Sequence, residues 1–320
     1  MKLISIKILT SGFIFIGSII LTSGAGVEDG QAPLKPPPLK KTAVFSLLPK
    51  AFQSNPELSI TVITEATEEG KKLKPPTTGK PAYYQAVASG YHHEGHGKDQ
   101  DKTLSVEHLE KQLKKSLVEG GYLEADKDHP PSLVLFFVWG THNKLAEDDP
   151  ASEMGGQEDI GYRNLLSRAA LVGGKQFAEE LAAAIEEQSN SASGDIMLNP
   201  VYRLMIRSDR NRALMHQIVD DCYYVVVSAY DLASFAHGEK KLLWRTKMTT
   251  AAAGISLAES SSALVAGGGP FFGRWMTEPA IVDKRISRNG RVELGETRTI
   301  SMDEPVGEPE KKNVPTTGKK

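Results

Sequence analysis

The amino-acid sequence predicts an α+β fold: a mixed or antiparallel sheet flanked by helices, with a disordered N-terminal tether and a disordered C-terminal tail. Three observations lead there. "SLVLFFVWG", Ser132 to Gly140, is apolar from Leu133 to Trp139, which suits a strand buried on both faces. "TLSVEHLEKQLKKSLVEGG" places Val106, Leu109, Leu113 and Leu117 on one helical face and its lysines opposite. The order of elements is irregular, without the long βαβ repetition that builds a doubly wound nucleotide-binding fold.

Taken in order, "AVFSLLP", "LSITVITEA" and "AYYQAVASGY" read as early strands. The amphipathic helix follows, with Ser105 or Thr103 as its cap and Gly120-Gly121 as its end. "HPP" marks a turn before the buried strand. A second helix spans roughly Tyr162 to Gln188, interrupted by Gly173-Gly174, which invites a kink or a close helix contact. "SDRNRALMHQIVDD" reads as a further helix capped by Ser208. Next come "CYYVVVSAYDL" and "KLLWRTKMTT", two strands joined by a short polar loop. In the second, Leu242, Trp244 and Met248 alternate with Arg245, Lys247 and Thr249, which predicts one wet face. A small-residue segment leads to "RISRNGRVEL", where Asn289-Gly290 between two strand-like runs predicts a hairpin.

The ends give an address. Lys2 and Lys7 precede a modest apolar segment from Ile8 to Ala25 that closes on small residues, as a secretory signal cleaved after Ala25 does. The alternative is an uncleaved anchor, since the segment approaches a bilayer span of about 20 residues. No cysteine stands near this site to carry a lipid. Residues 26–41 contain "KPPPLKK" and read as a polyproline tether. A single α+β domain is expected over 42–300, with a helical insert at about 150–220, and a charged tail over 301–320. The whole chain has formal charge −2, and cleavage removes two lysines and no acid. That mild acidity argues against a nucleic-acid partner, and nothing after Ala25 is apolar for long enough to span a membrane. The single cysteine, Cys222, rules out an internal disulfide framework and reads as a buried small hydrophobe.

Gly121-Tyr122, the run Pro131 to Val138, and Leu243-Trp244-Arg245 together resemble a group of uncharacterised exported bacterial envelope proteins, often lipoproteins. In that group a glycine-tyrosine helix end precedes a "PDLLV"-like strand, and a later strand carries a "LvWrg"-like signature. The present sequence departs in lacking the lipid-bearing cysteine and in its long helical insert. The resemblance implies an α+β envelope protein and carries no activity with it.

The stretch richest in chemistry is "GYHHEGHGKD", which gathers three of the eight histidines around a glutamate. His92, His93, Glu94 and His96 are ligand types for zinc, copper or nickel. The spacing of His93 and His96 is one residue short of the zincin H-E-x-x-H helix, and Gly90, Gly95 and Gly97 disfavour a helix, so the metalloprotease reading fails. A loop-borne site remains, and His108, His129 and His142, which flank the buried strand, could complete it. Ordering five loop residues costs roughly 5–10 kcal/mol against about 10–16 kcal/mol for a complete zinc site, so binding would be weak and exchangeable. "AGGGPFFGRW" lacks the Lys-Ser/Thr of a phosphate loop, and "ESSSA" is not set in G-x-S-x-G. Asp148, Asp149, Glu153, Glu158 and Asp159 form an acidic stretch without EF-hand spacing. No catalytic residue and no resident cofactor is assigned. The sequence points to an exported protein, periplasmic or secreted, that binds an envelope protein partner or supports assembly. The alternative is a metal-binding or metal-responsive protein using residues 92–96.

Overall fold

A computed structural model describes residues 31–39, 48–95, 104–144, 157–190 and 196–288. Seven strands, β1 (Glu57–Ala66), β2 (Ala82–Glu94), β3 (Tyr122–Glu124), β4 (Leu133–His142), β5 (Cys222–Asp231), β6 (Leu242–Ala251) and β7 (Ala280–Arg285), form one sheet. Their spatial order is β3-β2-β4-β5-β6-β1-β7. The β2–β3 and β2–β4 pairs are parallel and the rest antiparallel, so the sheet is mixed and the fold α+β.

A short helix, α1 (Glu68–Lys72), follows β1, and longer helices cover both faces. On one, α2 (Val106–Glu119) and α7 (Leu257–Gly268) lie over the main core. Leu109, Leu113 and Leu117 of α2 and Leu264 of α7 join Phe137 and Trp139 of β4, Val225 of β5 and Met248 of β6. The single stripe of α2 makes this possible, and Ser105 caps the helix by accepting from the His108 N–H. Gly121 ends it at φ +82°, and a Cβ there would sit 2.8 Å from the Thr77 nitrogen. Its neighbour Tyr122 packs on Trp244 with ring centroids 5.6 Å apart, and Trp244 stacks on Phe272. Two of the three motifs behind the family resemblance therefore meet in the core, where they do structural work.

The other face is covered by the chain between β4 and β5: α3 (Gln157–Ser189), α4 (Pro200–Ile206) and α5 (Asp209–Val219). These helices share a second apolar cluster of Ala169, Val172, Phe177, Leu181, Leu204, Leu214 and Ile218. Ser208 caps α5 and Asn199 caps α4. Within α3, Gly174 adopts φ +83° and ψ 176°, which breaks the helix into two halves.

Several expectations change. The face of β6 bearing Arg245, Lys247 and Thr249 is not wet: Lys247 is 9% exposed and Thr249 1%, because α3 and α5 lie on it. The alternation of β6 is real, but its polar face meets a polar layer under the helices instead of solvent. The link from β5 to β6 contains a short helix, α6 (Leu232–Ala236), capped by Asp231. "ESSSA" falls within α7, whose Ser260 and Ser261 donate to the carbonyls of Leu257 and Ala258. Of "AVFSLLP", residues 43–47 lie outside the described residues, and Leu48 and Pro49 carry no strand. The Asn289-Gly290 turn, the second "PTTGK", residues 1–30 and 301–320 also lie outside them. The described part of the proline-rich stretch runs along the domain. The Gln31 N–H donates to the Lys71 carbonyl at 2.8 Å, the Leu34 N–H donates to the Trp275 carbonyl at 2.8 Å, and Trp275 Nε1 donates to the Gln31 carbonyl at 2.7 Å. No described helix is long and apolar enough to cross a membrane.

Candidate functional site

The histidine stretch is strand, not loop, through Glu94. In an extended strand successive side chains point to opposite faces, and this separates the proposed ligands. His93 lies on the α2–α7 face, where its Nδ1 is 2.6 Å from Thr141 Oγ1. His92 and Glu94 lie on the other face, where His142 Nε2 donates to Glu94 Oε2 at 3.0 Å. His96 falls outside the described residues. Among the described residues no group of three or more His, Cys, Asp or Glu is placed to hold a metal ion. His93 cannot share an ion with His92 and Glu94 without breaking the strand.

Of the three flanking histidines that could complete a site on this stretch, His142 is the one bonded to it, through Glu94. It is 2% exposed, and Ser167 Oγ of α3 lies 3.3 Å from its Nε2. The hydrogen bond from His142 holds the Glu94 carboxyl below the usual carboxylate range, against a burial effect that would raise it. Serine, histidine and carboxylate here do not form a catalytic triad. A triad needs the acid on one ring nitrogen and the hydroxyl on the other, whereas both partners meet Nε2, and the buried Nδ1 has no partner among the described residues. The imidazole cannot relay a proton from Ser167 to Glu94.

Beside it, Cys222 is fully buried and its Sγ approaches the His142 carbonyl at 3.6 Å. Burial pushes its thiol pKa up to about 12, so the reactive thiolate is scarce at neutral pH. Maleimide at pH 7 is therefore expected to leave Cys222 unlabelled in the folded chain and to label it fully in denaturant. Rapid labelling of the native chain would contradict its placement.

Further along this face the polar layer continues. Gln217 of α5 takes part in hydrogen bonds with Thr61 and Thr249. Lys247 Nζ lies 2.7 Å from Glu65 Oε2 and donates to the Ala170 carbonyl at 2.8 Å, while the Lys175 N–H donates to Glu65 Oε1 at 2.6 Å. These bonds explain how the α3 kink is tolerated. A helix broken at Gly174 loses the bond that would satisfy the Ala170 carbonyl and exposes the Lys175 N–H. The lysine serves the first and the glutamate the second, each of the sign that the local helix dipole favours. Burial alone would raise the Glu65 pKa, but the charge and hydrogen bond of Lys247 outweigh it and hold it below the usual range. This pair fastens the helices to the sheet.

Two features of the described surface bear on ligand binding. One is a shallow groove of about 340 Å³ between α3 and α4. Its charged walls pair with each other, Arg203 with Glu187 and Arg207 with Glu180, which leaves no net charge for a ligand to meet. The other is the outer edge of β2. The short β3 covers only Ala82 to Tyr84, and among the described residues no strand pairs with β2 on that side from Gln85 to Glu94. The direction of each backbone group follows from the bonds at either end. The Tyr84 carbonyl accepts from Ala125 beside β3, while the Tyr83 carbonyl accepts from Ser132 beside β4. Strand alternation then turns Ala86 and Ala88 outward. A bulge between Ala88 and Gly90, with Gly90 at φ +102°, shifts the register. Beyond it the Glu94 carbonyl accepts from Asn143 beside β4, so His93 turns outward. The stretch Gln85 to Tyr91 has no charged residue and no proline, the usual devices that keep an edge from pairing.

No family model matches the sequence, and no curated protein does. Among solved structures, a PDZ domain protein from Parabacteroides distasonis ATCC 8503 aligns at 9% identity with a TM-score of 0.33, over 73% of this chain and 40% of that one. The chain thus spans under half the length of that protein.

Proposed function

We propose that this chain is an exported, non-enzymatic envelope protein that binds a protein partner or supports assembly, and that it does so along the outer edge of β2. The observation that carries the reading is that edge: among the described residues no strand pairs with β2 on its outer side from Gln85 to Ala88, and no charged residue guards that stretch. Such an edge is a template for main-chain hydrogen bonding with an added strand. The signal-like N-terminus and the resemblance to exported envelope proteins support the location.

Placing a photoreactive side chain at Ala88, in the chain expressed in its own cells, tests the reading. A protein adduct is expected from that position and not from Lys240, an exposed loop residue remote from the edge. Equal adducts from both positions, or none from Ala88, would overturn it.

A further inference from the structure

We propose that the surface between α1 and Trp275 is a recognition site for an extended, proline-bearing segment of a partner protein. Residues 31–34 of this chain fill it in cis as a displaceable latch. The site is separate from the edge of β2 and stands or falls without it.

The bonds that hold the latch are those of peptide recognition. The Gln31 N–H donates to the Lys71 carbonyl, the Gln31 carbonyl accepts from Trp275 Nε1, and the Leu34 N–H donates to the Trp275 carbonyl. Gln31 and Leu34 are three residues apart, one turn of a polyproline helix. Both are half-buried, whereas Ala32, Pro33 and Lys35 are exposed. Polyproline segments are read by aromatic-lined grooves, and an indole brings a hydrogen-bond donor besides its apolar face. The main-chain pattern also sets where proline is accepted. Positions 31 and 34 must donate, so neither can be proline, while position 33 needs no donor and carries one. Leu34 packs against the main core as the apolar anchor.

Two observations make the latch displaceable. Its occupant fits imperfectly: Gln31 Oε1 is buried with no partner among the described residues, a cost that a competing segment with an apolar side chain there does not carry. The hold is also slight. Between Gln31 and Leu34 the segment inserts one apolar side chain into the main core, and its two middle residues stay in solvent. Attachment in cis keeps the site closed, because a tethered segment competes at high effective concentration. The apparent affinity for a partner then falls by the fraction of chains that are closed.

The test adds a fluorescein-labelled synthetic peptide of residues 29–39 to the full chain and reads its anisotropy. Saturable binding is expected with the native chain, and binding about tenfold tighter with Leu34→Asp, which releases the latch and leaves the site in place. A peptide carrying Gln31→Leu is expected to bind about fivefold tighter than the native peptide, since it buries no orphan acceptor. Trp275→Phe, which removes the indole donor, is expected to weaken peptide binding about fivefold. In the native chain, with no substitution, the Leu34 amide is expected to exchange with solvent faster than that of Met276, whose N–H donates to the Thr64 carbonyl. Absence of peptide binding to both chains overturns the site. Equal affinity of the native and Leu34→Asp chains, or a Leu34 amide as protected as that of Met276, overturns the displaceable latch.

Discussion

Replacing Glu65 by alanine is expected to lower the unfolding free energy by about 3 kcal/mol, measured by urea denaturation at neutral pH. Removing one member of a buried ion pair leaves the other uncompensated, at a cost of about 3–5 kcal/mol, and the partial exposure of Glu65 places it at the low end. The loss is compounded because the Lys175 N–H at the α3 kink loses its acceptor. The pH dependence follows from the same contacts. The carboxyl of Glu65 titrates lower in the folded chain than its usual value of 4.5, so below that value the unfolded chain binds more protons. Stability is then present above the usual pKa and lost as pH falls through the folded one. Glu94, also lowered, acts in the same direction. In Glu65→Gln the pH slope below 4.5 is expected to be shallower than in the native chain. An unchanged slope would contradict the pairing.

Gly140→Ala is expected to be about as damaging, roughly 3 kcal/mol, at the upper end for overpacking a tight site. A Cβ at Gly140 would lie 1.7 Å from the His92 carbonyl oxygen, a backbone atom that cannot rotate away. β4 must then separate from β2 at the end where Glu94 meets His142. Urea denaturation of this variant showing a loss under about 1 kcal/mol would mean that the strands do not approach so closely there.

How far the sequence goes depends on where the information lies. The stripe of α2 and the apolar run of β4 are local patterns, and both elements appear where those patterns place them. α7 shows no such contrast. "LAESSSALVAGG" is small and apolar nearly all round, because the helix is buried on most sides and its two buried serines, Ser260 and Ser261, satisfy themselves on its own carbonyls. The polar face of β6 reads as wet because sequence shows that Lys247 is charged but not that a helix kink and Glu65 await it. The glycines around His92 and His93 suggest a loop, whereas Gly90 makes a bulge and Gly95, at φ +86°, comes after the strand has ended. The candidate site was the least legible part. Whether a strand is an edge depends on the order of strands in space, and nothing within residues 85–94 reveals that β3 stops pairing at Tyr84.

The central claim is that β2 is open along its outer side, and amide hydrogen exchange by NMR in dilute solution tests it residue by residue. An alternation is expected, with the amides of Gln85 and Val87, which face β4, exchanging slowly and those of Ala86 and Ala88 exchanging fast. Protection of Ala86 and Ala88 equal to that of Val87 would show the edge already covered and would contradict the account.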